Sequence, residues 1–329
     1  MPDRNPFDTG TIGDDADQDV TLTGQTDVEP ETNEQLQMLA NECNAALIAY
    51  IGPYMGVRVS PVHYVTASIT FFDEFGIETV INELTKNNIK KAYFLINSFG
   101  GQMGAAYKIA RVLRKSIDEI ITFVPHIAAS GGTLLALTGN KIVMGPLSNI
   151  TSLDPQVIYN GVHLSATCGH KALSLSNSFY KTATVEEIPY PCRALADKLD
   201  PFILSEWDGI LKTAQNYISN ILVMTGYGDE EAGRIATQLI WRFPTHGFAI
   251  TAELAREIGL RVEDSTKYDA EWKLMRKWLG NYLFKRQGNS YIRYVMPNKP
   301  TKGGKAKTKK AKTKKSKTKK AKTKKDTKG

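Results

Sequence analysis

Two segments of the chain each lead from an apolar run through glycines into a helical pattern, and they restrict the fold more than any other feature. The first apolar run, KAYFLINS at 91–98, is closed by a pair of glycines. The second segment, PHIAASGGTLLAL at 125–137, places Ser130 directly before Gly131. Because glycine lets the backbone turn sharply and approach its neighbours closely, each segment predicts a tight strand-to-helix turn.

Strands and helices are expected to alternate around these turns. The pattern predicts strands at 68–72, 91–98, 119–125 and 140–145, and helices at 31–50, 78–87, 103–114 and 130–139. The strand segments are nearly continuous apolar runs, without the polar alternation of a half-exposed sheet. Strands of this kind, alternating with helices, are typical of an α/β fold in which helices flank both faces of a mostly parallel sheet.

The second half of the chain predicts a helical C-terminal region. Residues 155–190 have poor periodicity and many Ser, Thr and His, which indicates a loop or a flap near a site. Helical spacing of apolar residues returns in four later segments, at 192–226, 230–242, 252–260 and 268–284.

The charge is divided unevenly along the chain. Residues 301–329 contain fifteen Lys and one Asp, a charge of +14, whereas the whole chain carries +8. The preceding part is therefore mildly acidic, and the basicity of the whole chain gives no argument for a nucleic-acid-binding fold. We expect a disordered acidic N-terminus at 1–30, one domain at 31–290 and a disordered Lys-rich repeat tail at 301–329. The tail could bind nucleic acid or another polyanion, or could serve only as a solubilising appendage.

Several other classes of protein are disfavoured by the sequence. The chain has 3 Cys, too scattered for a disulfide framework or a repeated metal-ligand spacing, and we predict no cofactor and no metal site. Cys168 and His170 lie close in sequence, but no second ligand pair has a matching spacing. The start of the chain lacks signal-peptide features, and no apolar run reaches the roughly 18–20 residues of a membrane span. We therefore expect a soluble, cytoplasmic protein.

The two glycine turns together suggest a catalytic site. A lone Ser before two glycines is more often a helix N-cap than a nucleophile. Two such turns on adjacent parallel strands, however, would bring backbone N–H groups together around the Ser130 hydroxyl. Converging amides of that kind stabilise the oxyanion of a tetrahedral intermediate.

Four sequence blocks carry a resemblance to known proteins. INSFGG at 96–101 resembles the INSPGG stretch of ClpP-type proteases, with Phe99 in place of the usual Pro, and AASGGTLLAL at 128–137 resembles their nucleophile segment and that of the signal peptide peptidase SppA. KIVMGPLSNITSLDPQ at 141–156 and PTHGFAITAELAREIGL at 244–260 are similar to segments of the serine dehydrogenase proteinase family. The blocks occur in the expected order over residues 65–262.

This resemblance implies a ClpP/crotonase-like core and an ATP-independent serine peptidase acting on a peptide or protein substrate. It places the nucleophile at Ser130 and the oxyanion-hole donors at Gly101 and Gly131. The general base of ClpP is a His, but Leu153 stands near the matching position. A Ser–Lys dyad of the SppA kind is implied instead.

The lysines that could complete such a dyad are Lys171, which is slightly favoured, Lys181 and the more distant Lys198. His246 is the other candidate base, although a structural role or a subunit contact also accounts for it. The resemblance further implies a homo-oligomer. A crotonase-like enzyme acting on thioesters and a degenerate, non-catalytic assembly module remain open as alternative functions of the same fold.

Overall fold

The computed structural model describes residues 30–52, 57–60, 63–65, 68–159, 161–180, 187, 190, 193–194, 200–285 and 291–298. The expected acidic N-terminus, apart from its last residue, and the expected Lys-rich tail lie outside these residues. Among the helices that are described, none is long and apolar enough to cross a membrane.

The described elements alternate between helix and strand over most of the chain. In chain order they are α1 (Pro30–Cys43), β1 (Ala46–Ile51), β2 (Val57–Ser60), β3 (His63–Val65), α2 (Phe71–Lys86), β4 (Lys91–Asn97), α3 (Met103–Ser116), β5 (Glu119–Val124), β6 (Ile127–Ala128), α4 (Gly131–Ala136), β7 (Lys141–Met144), β8 (Asn149–Ile150), β9 (Gln156–Tyr159), β10 (Val162–Ser165), α5 (Thr167–Tyr180), α6 (Pro201–Met224), α7 (Asp229–Trp241), α8 (Ala252–Glu257), β11 (Val262–Asp264), α9 (Asp269–Lys285) and β12 (Tyr291–Val295).

A mostly parallel sheet with strand order β11-β7-β5-β4-β1-β12 forms the centre of the fold. Each neighbouring pair from β11 to β1 is parallel, and β12 alone in this sheet runs antiparallel, along β1. Both faces are covered. Ile48 and Tyr50 of β1 join a core that includes residues of α2, α3, α6 and α7, whereas Leu47 and Ala49 join a second core with α1 and α9. The predicted α/β class with flanking helices is confirmed.

Two predicted elements are wrong at the start of the domain. The helix expected over 31–50 ends at Cys43, and the run ALIAYI that follows is the buried strand β1. Asn44 has a φ of 46°, which breaks the helix between them. The strand expected at 68–72 is also absent. Thr70 instead accepts a hydrogen bond from the Phe72 amide and caps α2.

The later predictions differ mainly in extent. The region 155–190, expected to be a loop or flap, contains the antiparallel hairpin β9–β10 and helix α5. The helix expected from 192 begins at Pro201 within the described residues, after its N-cap Asp200. The sheet strands β11 and β12 were not predicted. Each strand is short or lies among polar residues, so its apolar residues show no clear repeat in the sequence.

Candidate active site

The two glycine turns lie side by side at the carboxyl ends of neighbouring strands. The Ser98 amide donates to the Ile127 carbonyl at 3.0 Å, and the Ala129 amide donates to the Ser98 carbonyl at 2.8 Å. These bonds form an isolated parallel bridge between Ser98 and Ala128. The sheet therefore delivers both turns to one point, as the sequence predicted from adjacent parallel strands.

Ser130 occupies a strained position in the second turn. Its φ is 50° and its ψ is −121°, values that suit the first central residue of a type II′ turn and favour glycine. The amide of Gly132 closes this turn by donating to the Ala129 carbonyl at 2.7 Å. The Ser130 side chain is half-buried and makes no cap hydrogen bond to helix α4. A non-glycine residue held in such a conformation is a common feature of nucleophile turns.

Glycine is required at the point where the two turns touch. A Cβ placed on Gly100 would lie 2.6 Å from the Ser130 Cβ and 3.1 Å from the Gly131 nitrogen. A Cβ on Gly101 would lie 2.2 Å from the Ile69 nitrogen, because Ile69 pairs with this turn through the Gly100 carbonyl and the Gln102 amide. Side chains at these positions would push the turns apart.

The amides of Gly101 and Gly131 lie next to each other. A Cβ placed on Gly131 would come within 3.4 Å of the Gly101 nitrogen, so little space separates the two backbones. Neither amide donates to a backbone acceptor within the described residues. Gly131 also begins α4, where helical N–H groups point outward without partners. Two such donors, at the point where the turn carrying Ser130 meets the other glycine turn, could stabilise an oxyanion.

The segment after β8 holds the Ser130 turn in place through hydrogen bonds. The Ser130 amide donates to the Thr151 Oγ at 2.9 Å. The Thr133 hydroxyl donates to the Ala128 carbonyl at 2.6 Å and lies 3.1 Å from the Thr151 carbonyl, and the Thr151 amide donates to the Thr133 Oγ at 3.1 Å. Residues 128–133 are thus bound to Thr151 on several sides, which holds the strained conformation in place.

A histidine–aspartate pair adjoins the same segment. The Nδ1 of His246 lies 2.9 Å from a carboxylate oxygen of Asp154, and the Ser152 hydroxyl donates to that same oxygen. Burial alone would raise the pKa of the Asp154 carboxyl, but hydrogen bonds from His246, Ser152 and Ser165 outweigh it and hold the pKa below its usual value. Asp154 is therefore a buried, ionised carboxylate bound by several donors.

Of the three candidate lysines, Lys171 alone lies within the described residues. Lys171 lies on α5, one turn after Thr167, and is exposed, and it makes no hydrogen bond or ion pair with a described residue. Lys181 and Lys198 fall outside the described residues. The structure brings together Ser130, Gly101 and Gly131.

His170, which lies close to Cys168 in sequence, contacts side chains other than those of the candidate site. His170 Nε2 lies 3.4 Å from an Asp208 carboxylate oxygen, and its ring packs edge-on against Trp241. In the described part of the chain, no group of three His, Cys, Asp or Glu side chains could hold a metal ion.

Sequence reasoning missed Thr151, Ser152 and Asp154 as supports of the site. Their signal was the polar run TSLD, which directly follows the buried strand residue Ile150 and is itself almost fully buried. Polar side chains are rarely buried unless hydrogen bonds satisfy them, so this run marked a network. Its partners could not be read from the chain, because Ser130 and His246 are distant in sequence.

A protein-family model matches the central part of the chain. Residues 75–171 match the family model of ClpP-like SDH-type serine proteinases, a span that includes Gly101, Ser130, Gly131 and Lys171. His246 lies beyond it.

Two uncharacterised proteins of Methanocaldococcus jannaschii are similar over longer stretches. One is 28% identical over 233 residues, which cover 69% of this chain and 72% of the relative. The other is 26% identical over 168 residues, which cover 51% of this chain and 50% of the relative.

Among solved structures, two mutant forms of the 1510-N membrane-bound stomatin-specific protease are similar. The first has a TM-score of 0.40 at 18% identity and covers 63% of this chain and 79% of its own. The second, in complex with a substrate peptide, has a TM-score of 0.38 at 20% identity and covers 59% and 70%.

Proposed function

We propose that this chain, whose residues 75–171 match the family model of ClpP-like SDH-type serine proteinases, hydrolyses peptide bonds through an acyl-enzyme on Ser130, without ATP. The observation that carries the proposal is the meeting of the Gly101 and Gly131 amides at a strained Ser130. An N-capping serine needs neither the second turn nor the strain.

The chemistry follows from these groups. The Ser130 oxygen attacks the carbonyl carbon of the scissile bond while its proton passes to a base, and the carbonyl oxygen becomes an oxyanion between the two amides. The intermediate collapses, the C–N bond breaks and the amine leaves with that proton. Water then attacks the acyl ester in the same way, which releases the carboxylic acid and restores Ser130. Loss of one oxyanion donor typically costs about 2.7–4 kcal/mol of activation free energy.

For the base we propose a Ser–Lys dyad, with Lys171 ahead of Lys181. A lysine acts as a base near neutral pH only when desolvation disfavours its charged form. The amine of Lys171 is exposed in the single chain, and Leu175, on the same helix, is 58% exposed. We therefore propose that a second copy of the chain covers this part of α5 in a homo-oligomer, which would bury both the apolar side chain and the amine.

The proposal is tested by labelling with a fluorophosphonate probe, comparing the wild type with Ser130→Ala and Lys171→Met. We expect labelling of the wild type, none of Ser130→Ala, and strongly slowed labelling of Lys171→Met. Equal labelling of wild type and Ser130→Ala would contradict the nucleophile. If Lys171→Met is labelled at the wild-type rate and Ser130→Ala is not labelled, Lys171 is not the base, and Ser130 is still the nucleophile.

A negative result would also be informative about the alternatives. Absence of labelling, together with calorimetric binding of a CoA thioester, would point to a crotonase-like enzyme. Absence of both would leave a non-catalytic assembly module. Sedimentation velocity on the same samples reports whether the chain self-associates, and a monomer at the concentrations of full activity would contradict the covering of α5.

A further inference from the structure

Asp154 is the meeting point of three segments that are distant in sequence. It follows β8, it is only 5% exposed, and its carboxylate accepts hydrogen bonds from Ser152 and from Gln156, the latter at 3.1 Å. His246, from the loop between α7 and α8, contributes its Nδ1 at 2.9 Å. Because an ionised carboxylate can only accept, the His246 ring carries its proton on Nδ1.

One set of contacts connects the Asp154–His246 pair to the proposed nucleophile, Ser130. The Ser152 hydroxyl also lies within 3.2 Å of the His246 carbonyl. Nearby, Ile150 and Ile250 exchange backbone hydrogen bonds of 3.1 and 2.8 Å, so the His246 loop is held against the segment after β8. The neighbouring residue Thr151 accepts from the Ser130 amide. A shift of this segment would move the backbone of Ser130.

The second connection leads to helix α5. Ser165, the last residue of β10, lies close enough to Asp154 for its hydroxyl to help lower the pKa of that carboxyl. Its hydroxyl is also 2.7 Å from the hydroxyl of Thr167, the first residue of α5, and the Ala166 amide donates to the Pro155 carbonyl at 2.8 Å. The start of α5 is therefore fixed to the residue next to Asp154, one helical turn before Lys171.

We infer that Asp154 and His246 are a positioning pair that fixes the turn carrying Ser130 relative to the helix carrying Lys171. This inference rests on the proposed Ser130 chemistry. The pair acts through Thr151 on one side and through Ser165 and Thr167 on the other, and it does not itself take the proton of Ser130. A displacement of about 1 Å between reacting groups can cost about 100-fold in rate.

Saturation kinetics of fluorophosphonate labelling test the pair in the full-length chain. We expect His246→Gln and Asp154→Asn each to lower the limiting labelling rate by about 10- to 100-fold, with an unchanged half-saturating probe concentration. The double variant should be no slower than the slower single variant, because both residues act as one unit. The control is Lys273→Gln, which breaks an exposed ion pair with Asp269 on α9, a helix of the second core, and should label at the wild-type rate.

Added imidazole separates positioning from proton transfer. In a His246→Ala variant, free imidazole should not restore labelling if the ring only holds Asp154. Restoration would make His246 the base and overturn the inference, as would wild-type labelling of His246→Gln.

Hydrogen exchange gives a readout that does not require activity. The inference predicts faster amide exchange in His246→Gln at both 128–133 and 167–171, and unchanged exchange in β4. If neither segment changes, the inference is wrong even where labelling is slow. If wild type and Ser130→Ala label equally, the proposed function fails, and the exchange data still decide whether the pair connects the two segments. Since His246 is partly exposed, its Gln variant is expected to fold, which near-UV circular dichroism would verify.

Discussion

The backbone N–H of Ser130 donates to the side-chain oxygen of Thr151 across 2.9 Å, and this bond ties the strained turn to the segment that follows β8. The bond joins two residues that neither belong to the same element nor lie close in sequence. Thr151 is 2% exposed, so water has little access to replace its hydroxyl.

Replacing Thr151 with Val should therefore destabilise the fold and slow any Ser130 chemistry. Val has nearly the same shape but no acceptor, so the Ser130 amide loses its partner. Leaving a buried donor unsatisfied costs about 1–3 kcal/mol. Urea unfolding measures the loss of stability, and probe labelling measures the loss of reactivity. Thr151→Ser keeps the acceptor and should retain most of both. If Thr151→Val behaves like wild type in both assays, the bond does not hold the turn.

Replacing Ser130 with Gly should separate stability from function. A positive-φ turn conformation of this kind costs a non-glycine residue about 1–3 kcal/mol, and Gly removes that cost. We expect Ser130→Gly to be about 1 kcal/mol more stable than Ser130→Ala, which keeps the strain, and neither variant to react with the probe. Thermal and urea unfolding of the two variants give the comparison. Equal stability would mean that the φ of 50° carries no strain.

The glycines of the two turns should respond differently to Ala. At Gly131 an added Cβ meets contacts no closer than 3.3 Å, and no positive φ forbids it, so Gly131→Ala should fold with a modest loss. That methyl group would nevertheless lie 3.4 Å from the Gly101 nitrogen and crowd the proposed oxyanion site. We expect labelling to slow by about 100-fold, the usual effect of losing one donor.

Gly101→Ala is the contrasting variant. Its Cβ would overlap the Ile69 backbone at 2.2 Å, and its φ of 150° disfavours a side chain. Gly101→Ala should therefore lose several kcal/mol of stability or fail to fold, as overpacking of a rigid backbone does. Near-equal unfolding midpoints of the two Ala variants would show that the turns are less tightly packed than their geometry indicates.

Much of the central fold was predictable because its strands are buried on both faces. The runs at 91–98 and 119–125 are largely apolar, and their lengths, with the glycines that close the first run, indicate strands. The same argument failed for ALIAYI, which continues the apolar pattern of α1 after a single exposed turn. Only the positive φ of Asn44, invisible in the sequence, separates the helix from the strand.

The residues of the candidate site also fall into two groups, those that local sequence predicts and those that depend on contacts between distant segments. Local sequence carries Ser130, Gly101 and Gly131, because each lies in a strand–glycine–helix turn that its own neighbours define. The supporting residues Thr151 and Asp154 depend on contacts between distant segments. A single sequence does not show which distant segments contact each other. The position of Lys171 relative to the hydroxyl is equally non-local, so the base remains a prediction.

The Asp154 carboxylate should make stability depend on pH in the acid range. Its pKa lies below the usual value, since hydrogen bonds from His246, Ser152 and Ser165 outweigh the opposing effect of burial. The folded state therefore holds the charged form more strongly than the unfolded chain does. The resulting stabilisation is present above the ordinary Asp pKa, about 3.9, and is lost as the pH falls through the lower pKa of the folded state.

Urea unfolding of wild type and Asp154→Asn at several pH values between 6 and about 2.5 would measure this effect. We expect the stability difference between them to be largest at pH 6 and to shrink as the pH falls, because a protonated Asp154 resembles the neutral Asn. Asp269→Asn is the control, since its side chain is 65% exposed and its removal from a surface ion pair should change stability little. A difference for Asp154→Asn that stays constant, or grows on acidification, would mean that the folded protein does not favour the ionised carboxylate.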